Sequence, residues 1–469
     1  MANENFDVVV IGGGPAGYVA GIRAGQLGLR VAVVEKEHMG GVCLNWGCIP
    51  SKALIAAANS AERARESGHM GIKVSGVEVD VNKLQDWKDG IVKKLTGGVR
   101  QLVTGNGGEV IDGTAKIVGK GKVEVSQKGG KKVTLTAAKG ILVATGSRVT
   151  ELPFLKVDGK VVITAKEAVS LRRLPKSLIL VGGGVIGLEL GMVYQKLGAK
   201  VTVVEFLDQL LPSVDKDLAQ VVTKAFTKAG GTVLTRAKAT GCTVKGNEAT
   251  VTVEHEGSSK KLTGDTVLVA IGFKPNTQGL GLEEVGAKLD ERGHVLVDKH
   301  YETQAKGIFA VGDITGMPYL AHKASKEAET AIEYIAGHAS ENDIRAMPAA
   351  IFTEPEIATV GLSEREAKDQ KRDIKVGKFP FAASGRAMAV DSTAGFVKVL
   401  IDAKTHEVLG AGIAGPDASD LIAEAALAIE MGAFAEDVAL TVHAHPTLSE
   451  GLMEAFKHAL GEAVHVMNR

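Results

Sequence analysis

Residues 7–11, DVVVI, form a short apolar run that stops at GGGPAG. A run of this length bounded by glycine reads as a buried strand. YVAGIRAGQLG follows with apolar residues at helical spacing, and RVAVVE is a second buried strand ending at Glu35. The same order returns later as SLILV, GGGVIG, a helical stretch and KVTVVE, which ends at Glu205. The first copy carries G-x-G-x-x-G at Gly12, Gly14 and Gly17, the second at Gly182, Gly184 and Gly187. In both, the first glycine precedes the glutamate by 23 positions. The first glycine of such a unit makes a tight turn, the second lets backbone approach a pyrophosphate, and the third packs helix on strand. The helix N-terminus faces the phosphates, and the terminal carboxylate can bind a ribose hydroxyl. One triplet in a chain with 58 glycines is weak evidence. Two with the same spacing point to two dinucleotide sites, and so to an enzyme that moves electrons between two nucleotide cofactors. Glu205 would accept from a 2′-hydroxyl and repel a 2′-phosphate, and FLDQLLPS after it holds no arginine. The second site is therefore expected to take NAD rather than NADP.

Composition narrows the rest. At 469 residues the chain is long enough for two to four domains. Lysine and arginine together balance aspartate and glutamate at 55 each, so charge gives no reason to expect nucleic-acid binding or an acidic surface as partner. No apolar stretch approaches the length of a membrane span, and MANENFDVVV has no secretory pattern. The expected location is the cytoplasm, or the mitochondrial matrix for a processed chain. Three cysteines are too few for a disulfide framework.

Two of those three, Cys43 and Cys48, stand close together in GGVCLNWGCIPSKAL. Inert buried thiols, a zinc site, a static disulfide and a redox-active disulfide beside a flavin are the competing readings. Zinc lacks further ligands, since His38 alone does not complete a site, and no metal is expected anywhere in the chain. A static disulfide does not suit a reducing compartment. The pair directly follows the first nucleotide unit, which favours the redox reading. CIPSKALIAAANSAERARE reads as a helix with Pro50 in its first turn. Cys48 then lies near a helix N-terminus, where a thiolate is stabilised, with Lys52 one turn along.

GGVCLNWGCIPSKAL closely resembles the active-site stretch of the flavin disulfide reductases, in their dihydrolipoamide dehydrogenase branch, and the likeness runs over nearly the whole chain. The resemblance implies an α/β fold with two Rossmann-like dinucleotide-binding domains, one for FAD and one for NAD, plus a C-terminal α+β dimerisation domain. The boundaries it suggests are 1–150 for FAD, 151–280 for NAD, 281–347 returning to the FAD side, and 348–469 for the interface. It implies that Cys43 is the interchange thiol, that Cys48 faces the flavin, and that Lys52 lies near its N5. Further FAD contacts are implied at Glu35, at Ala115 in DGTAKI, and at Thr145, Gly146 and Ser147 in the ATG-type segment. GIFAVGDITGMPYLAHKASKEA resembles the second FAD motif. There Asp313 would meet a ribityl hydroxyl, and a helix beginning near Ala321 and His322 would point at the ring. Gly182, Gly184, Gly187, Glu189, Glu205 and Gly272 are assigned to NAD. Phe273 follows Gly272 where many relatives have arginine.

HAHPTLSEG holds His443, His445 and Glu450. Histidines at i, i+2 could suggest a metal, but the motif lacks carboxylate companions for one, and a histidine supported by a carboxylate suits acid–base work. The resemblance makes His445 the base and Glu450 its orienting partner, with His443 supporting. It also implies a homodimer whose active site is shared between subunits. The implied activity is oxidation of protein-bound dihydrolipoamide with reduction of NAD, and the implied partners are lipoyl domains of 2-oxo acid dehydrogenase or glycine-cleavage complexes. A non-catalytic subunit with a residual flavin fold is the competing class. Neither active cysteine is missing, nor is His445.

Overall fold

The computed structural model describes residues 3–468. The first apolar run is strand β1 (Asn3–Ile11), followed by helix α1 (Pro15–Gln26) and strand β2 (Val31–Glu35). Next come α2 (Gly41–Trp46), α3 (Cys48–Glu66) and α4 (Val81–Gly105). Strands β3 (Glu109–Asp112), β4 (Thr114–Gly119), β5 (Lys122–Ser126) and β6 (Lys132–Val143) complete the run. They assemble in the order β3-β2-β1-β6-β5-β4. β1 is parallel to β2 and to β6, as βαβ crossovers require, whereas β5 is antiparallel to both its neighbours. Val8, Val9 and Val10 are fully buried: Val8 and Val10 face the helices around Ala20 and Ala328, and Val9 faces Ile117, Val123 and Val125 of β4 and β5.

The second unit repeats the plan. Strands β7 (Val162–Ile163), β8 (Ser177–Val181), β9 (Lys200–Val204), β10 (Thr232–Leu234) and β11 (Thr266–Val269) order as β10-β9-β8-β11-β7, with every pairing parallel. Helix α5 (Val185–Lys196) takes the place of α1, and α6 (Lys216–Lys228) follows β9. The chain then returns to the first sheet: β12 (Ile308–Ala310) lies parallel to β6 and feeds helix α7 (Ala321–Ala336).

The last unit is an antiparallel sheet under helices. Strands β13 (Ala349–Ile351), β14 (Glu356–Gly361), β15 (Ile374–Pro380), β16 (Phe396–Asp402) and β17 (Val408–Gly415) order as β13-β14-β17-β16-β15. Helices α8 (Ala418–Met431), α9 (Ala435–Leu440) and α10 (Glu450–Leu460) pack against it around Phe379, Phe381 and Phe456. This unit leaves large apolar side chains in the open: Val442 is 94 % exposed and Leu440 81 %. Contiguous apolar surface of this kind marks a contact face. Among the described residues, no helix is long and apolar enough to cross a membrane.

Candidate active site

The two glycine turns are built alike. Gly12 has φ +106° and Gly182 φ +102°, so each needs the freedom that only glycine has there. A Cβ on Gly17 would fall 1.8 Å from the Gly12 carbonyl oxygen, which explains why the helix can come so close to the turn. A Cβ on Gly184 would meet nothing within 4 Å. That position faces open space, as it must if a pyrophosphate is to lie against it. Glu35 accepts from the Gly13 N–H at 2.7 Å, and Glu205 from the Gly183 N–H at 2.6 Å. Their other carboxylate oxygens accept from Glu37 and Leu207 N–H groups, both at 2.7 Å. Each glutamate thus ties the end of its second strand back to its own glycine loop, and each oxygen keeps a lone pair for a ribose hydroxyl.

Cys48 is the first residue of α3 and is exposed, and Cys43 lies half-buried on α2. The two thiols lie near each other, and the interaction with Cys43 lowers the Cys48 pKa to about 7 against the opposing effect of desolvation. Lys52 adds to the lowering at Cys48. The interaction with Cys48, and then burial, push the Cys43 thiol up, well beyond the usual thiol range. The pair is therefore asymmetric: Cys48 favours the thiolate and Cys43 the proton. Burial pushes the nearby Tyr18 hydroxyl up, and the two cysteines add to the effect.

Lys52 does not extend into solvent. Its ammonium is 2.8 Å from Glu189 and 4.4 Å above the Phe352 ring. Glu189 is 3 % exposed, and its second oxygen accepts from the Phe352 N–H at 2.9 Å. The glutamate assigned to the NAD turn thus sits on α5 and reaches the redox helix of the first unit. This link joins all three units and spans 137 positions between Lys52 and Glu189.

Several FAD-side residues gather just past the ends of β6 and β12 and at the head of α7. Ser147 donates to Asp313 at 2.6 Å, and Thr145 to the Asn276 carbonyl at 2.9 Å. Burial pushes the Asp313 carboxyl up, with the Ser147 bond opposing it. Gly146 and Gly272 both have positive φ, and Phe273 begins a strand that pairs with Ser147–Val149. Phe273 is thus an aromatic anchored by its backbone at the position where the resemblance leads one to expect arginine. Ala115 lies on β4 with its methyl group in the core. Ala321 opens α7, and His322 beside it turns to the Pro348 carbonyl at 2.7 Å.

Sequence reasoning missed Lys323 and Glu327. They form a buried pair at 2.9 Å on α7, and Glu327 accepts from the Gly312 N–H at 2.7 Å. Their i, i+4 spacing on a helix was the available signal. A chain from Asp290 through His294 to the Tyr319 hydroxyl, at 2.9 and 2.7 Å, gave no local signal.

His445 Nδ1 is 2.9 Å from Glu450, and the ring is 79 % exposed. Because the carboxylate accepts from Nδ1–H, Nε2 of the neutral ring is free to take a proton. The Thr447 N–H and His445 hold the Glu450 carboxyl below the usual range against the effect of burial.

Two family models match the sequence: pyridine nucleotide-disulphide oxidoreductase over residues 6–328, and the dimerisation domain of the same family over 347–456. The chain belongs to the pyridine nucleotide-disulphide oxidoreductases. Among curated members of the family, it is 47 % identical to a dihydrolipoyl dehydrogenase of Geobacillus stearothermophilus, over 99 % of this chain and 98 % of that one. It is 46 % identical to the enzyme of the same name from Halobacterium salinarum, with coverage of 99 % and 98 %. Among solved structures of such oxidoreductases, LpdA of Mycobacterium tuberculosis superposes with a TM-score of 0.90 at 30 % identity, covering 97 % of this chain and 99 % of that one. The HOCl-induced flavoprotein disulfide reductase RclA of Escherichia coli gives 0.85 at 27 %, covering 96 % and 99 %. Two intact glycine turns, with open space before Gly184 and only Gly41 Cα within 4 Å of a Cβ on Gly14, fit the FAD and NAD that the family uses.

Proposed function

We propose that the chain is a dihydrolipoamide dehydrogenase: it oxidises protein-bound dihydrolipoamide to lipoamide and reduces NAD. The carrying observation is the neighbouring thiol pair, with Cys48 at the head of α3, Cys43 beside it on α2 and Lys52 one turn on. The 44–47 % identity to curated dihydrolipoyl dehydrogenases supports the choice of substrate.

FAD would lie against Gly12, Gly14, Gly17, Glu35, Ala115, Thr145, Gly146, Ser147, Asp313, Ala321 and His322. NAD would lie against Gly182, Gly184, Gly187, Glu189, Glu205 and Gly272. When bound, FAD supplies two-electron transfer between the enzyme dithiol and NAD. The chain's own residues do the rest. In the oxidised enzyme Cys43 and Cys48 share a disulfide. His445 Nε2 takes a proton from one substrate thiol, and the resulting thiolate attacks Cys43 sulfur, breaking the Cys43–Cys48 bond. Cys48 leaves as a thiolate, which Lys52 and the helix N-terminus stabilise. The second substrate thiol then displaces Cys43. The substrate closes its own disulfide, and the enzyme holds one thiol and one thiolate.

His445 is exposed on the C-terminal unit, which carries the family's dimerisation domain. We place it at the disulfide of the second subunit of a homodimer, whose contact face includes Leu440 and Val442. Lipoyl domains of 2-oxo acid dehydrogenase or glycine-cleavage complexes are the partners in this reading, and the cytoplasm its compartment.

The deciding assay measures NADH formation from dihydrolipoamide with purified FAD-loaded protein, using Cys48→Ser as the control. Turnover lost in the variant supports the assignment. Wild-type protein that binds FAD and NAD but leaves dihydrolipoamide unoxidised overturns it.

A further inference from the structure

His445 projects from a segment, Thr441–Ser449, that belongs to no helix or strand. An exposed ring on such a segment keeps one orientation only if the backbone is tied on both sides. The downstream tie is Glu450, which accepts from His445 at 2.9 Å and from the Thr447 N–H at 2.8 Å. The upstream tie is His443. Its side chain is 5 % exposed, in contrast to that of His445 two residues on. Nε2 of His443 lies 2.8 Å from Glu424 on α8, and Nδ1 lies 2.8 Å from the Thr441 carbonyl oxygen.

Both partners of the ring are acceptors within the chain, one local and one on α8, so the side chain is held from both nitrogens. Both ring nitrogens are engaged within the chain, so His443 has no nitrogen left for a metal or a substrate.

We propose that His443, anchored by Glu424, is a positioning residue for His445: it pins the backbone of Thr441–His445 to α8 so that the base presents Nε2 toward the substrate thiol. The inference rests on His445 being the base for dihydrolipoamide oxidation. His443 touches no reacting atom and acts through His445.

The test compares His443→Ala, Glu424→Gln, His445→Gln and the His443→Ala/His445→Gln double variant, all as FAD-loaded dimers. Two reactions are measured in each: reduction of the enzyme by dihydrolipoamide, and NADH oxidation by ferricyanide, which needs no thiol base. The expected result is a loss of about tenfold or more in the dithiol reaction for His443→Ala, with the ferricyanide reaction retained. Glu424→Gln should show the same split in weaker form and serves if His443→Ala does not fold. The double variant should be no slower than His445→Gln alone, because the position of an absent base cannot matter. Losses that multiply in the double variant overturn the proposal, as does an equal fall in both reactions. Wild-type protein that does not oxidise dihydrolipoamide would instead refute the functional assignment, a separate outcome.

Discussion

Cys48 opens α3 beside Cys43, and the two neighbouring sulfurs are chemically unequal. The interaction lowers the Cys48 pKa to about 7 and pushes the Cys43 thiol up. Replacing each separately should expose this division. With flavin bound as proposed, Cys43→Ser keeps the Cys48 thiolate and should still give long-wavelength absorbance; Cys48→Ser should show none. Both should lose about 10³-fold or more in dihydrolipoamide turnover. Spectra of the two variants at equal flavin concentration settle the assignment, and a band that survives in Cys48→Ser reverses it.

The same asymmetry predicts a pH dependence. The Cys48 pKa is lowered to about 7, so the thiolate is present above that pH and is lost as pH falls through it. Absorbance due to the thiolate in the reduced enzyme should fade to half near pH 7. Lys52→Met removes a positive charge that favours the thiolate, so its midpoint should move upward. A midpoint that moves downward in Lys52→Met contradicts the electrostatic account.

His445→Gln keeps the size of the side chain and removes the proposed base. Reduction of the enzyme by dihydrolipoamide should slow by about 10²–10⁴-fold. Reduction of the flavin by NADH should be unchanged, because no thiol proton moves in it. Stopped-flow traces of the two half-reactions separate these effects.

Glycines within one turn should differ sharply. A Cβ on Gly184 meets nothing within 4 Å, while one on Gly187 lies 2.8 Å from both the Gly182 oxygen and Leu180 Cδ1. Gly184→Ala should leave the melting temperature unchanged and raise KM for NAD about tenfold, or about 1.4 kcal/mol. Gly187→Ala should cost about 1–3 kcal/mol in stability. Thermal unfolding of the two variants without NAD tests the contrast.

Lys398 is 1 % exposed and lies 2.7, 2.9 and 2.8 Å from Asp215, Asp217 and Glu364. It joins β16 to the head of α6 and fills the space among three carboxylates that would otherwise suit a cation. Lys398→Met should destabilise the protein by about 3 kcal/mol, because the carboxylates lose their buried counter-charge. Burial alone would raise the Asp217 pKa, but Lys378 and Lys398 hold it below the usual range. Its contribution to stability is therefore present at neutral pH and is lost as pH falls through the lowered pKa. Denaturation of Lys398→Met and wild type at neutral and acid pH measures both effects.

Much of the fold could be read in advance because its signals are local. The helix read from CIPSKALIAAANSAERARE is α3 itself, Cys48–Glu66, since helical spacing and a first-turn proline lie within one short window. Two glycine units gave two sheets, each with parallel strands around its glycine turn, for the same reason. GGKKV, by contrast, reads as a loop, yet β6 begins at Lys132. Pairing with β5 recruits two of those residues into the strand, and no window that short contains its partner.

The sequence by itself determined which backbone turns can approach phosphate, where two thiols meet a helix N-terminus, and that a carboxylate follows a histidine at hydrogen-bonding distance along the chain. Those depend on covalent neighbours and on the conformations each residue type permits. Tertiary structure decided the rest. Glu189 faces Lys52 across 137 positions, Asp313 receives Ser147 across 166, and Lys398 gathers carboxylates from two units. Such contacts form only when packed sheets and helices bring distant residues together, and burial then strengthens the attraction within each pair because less water screens it.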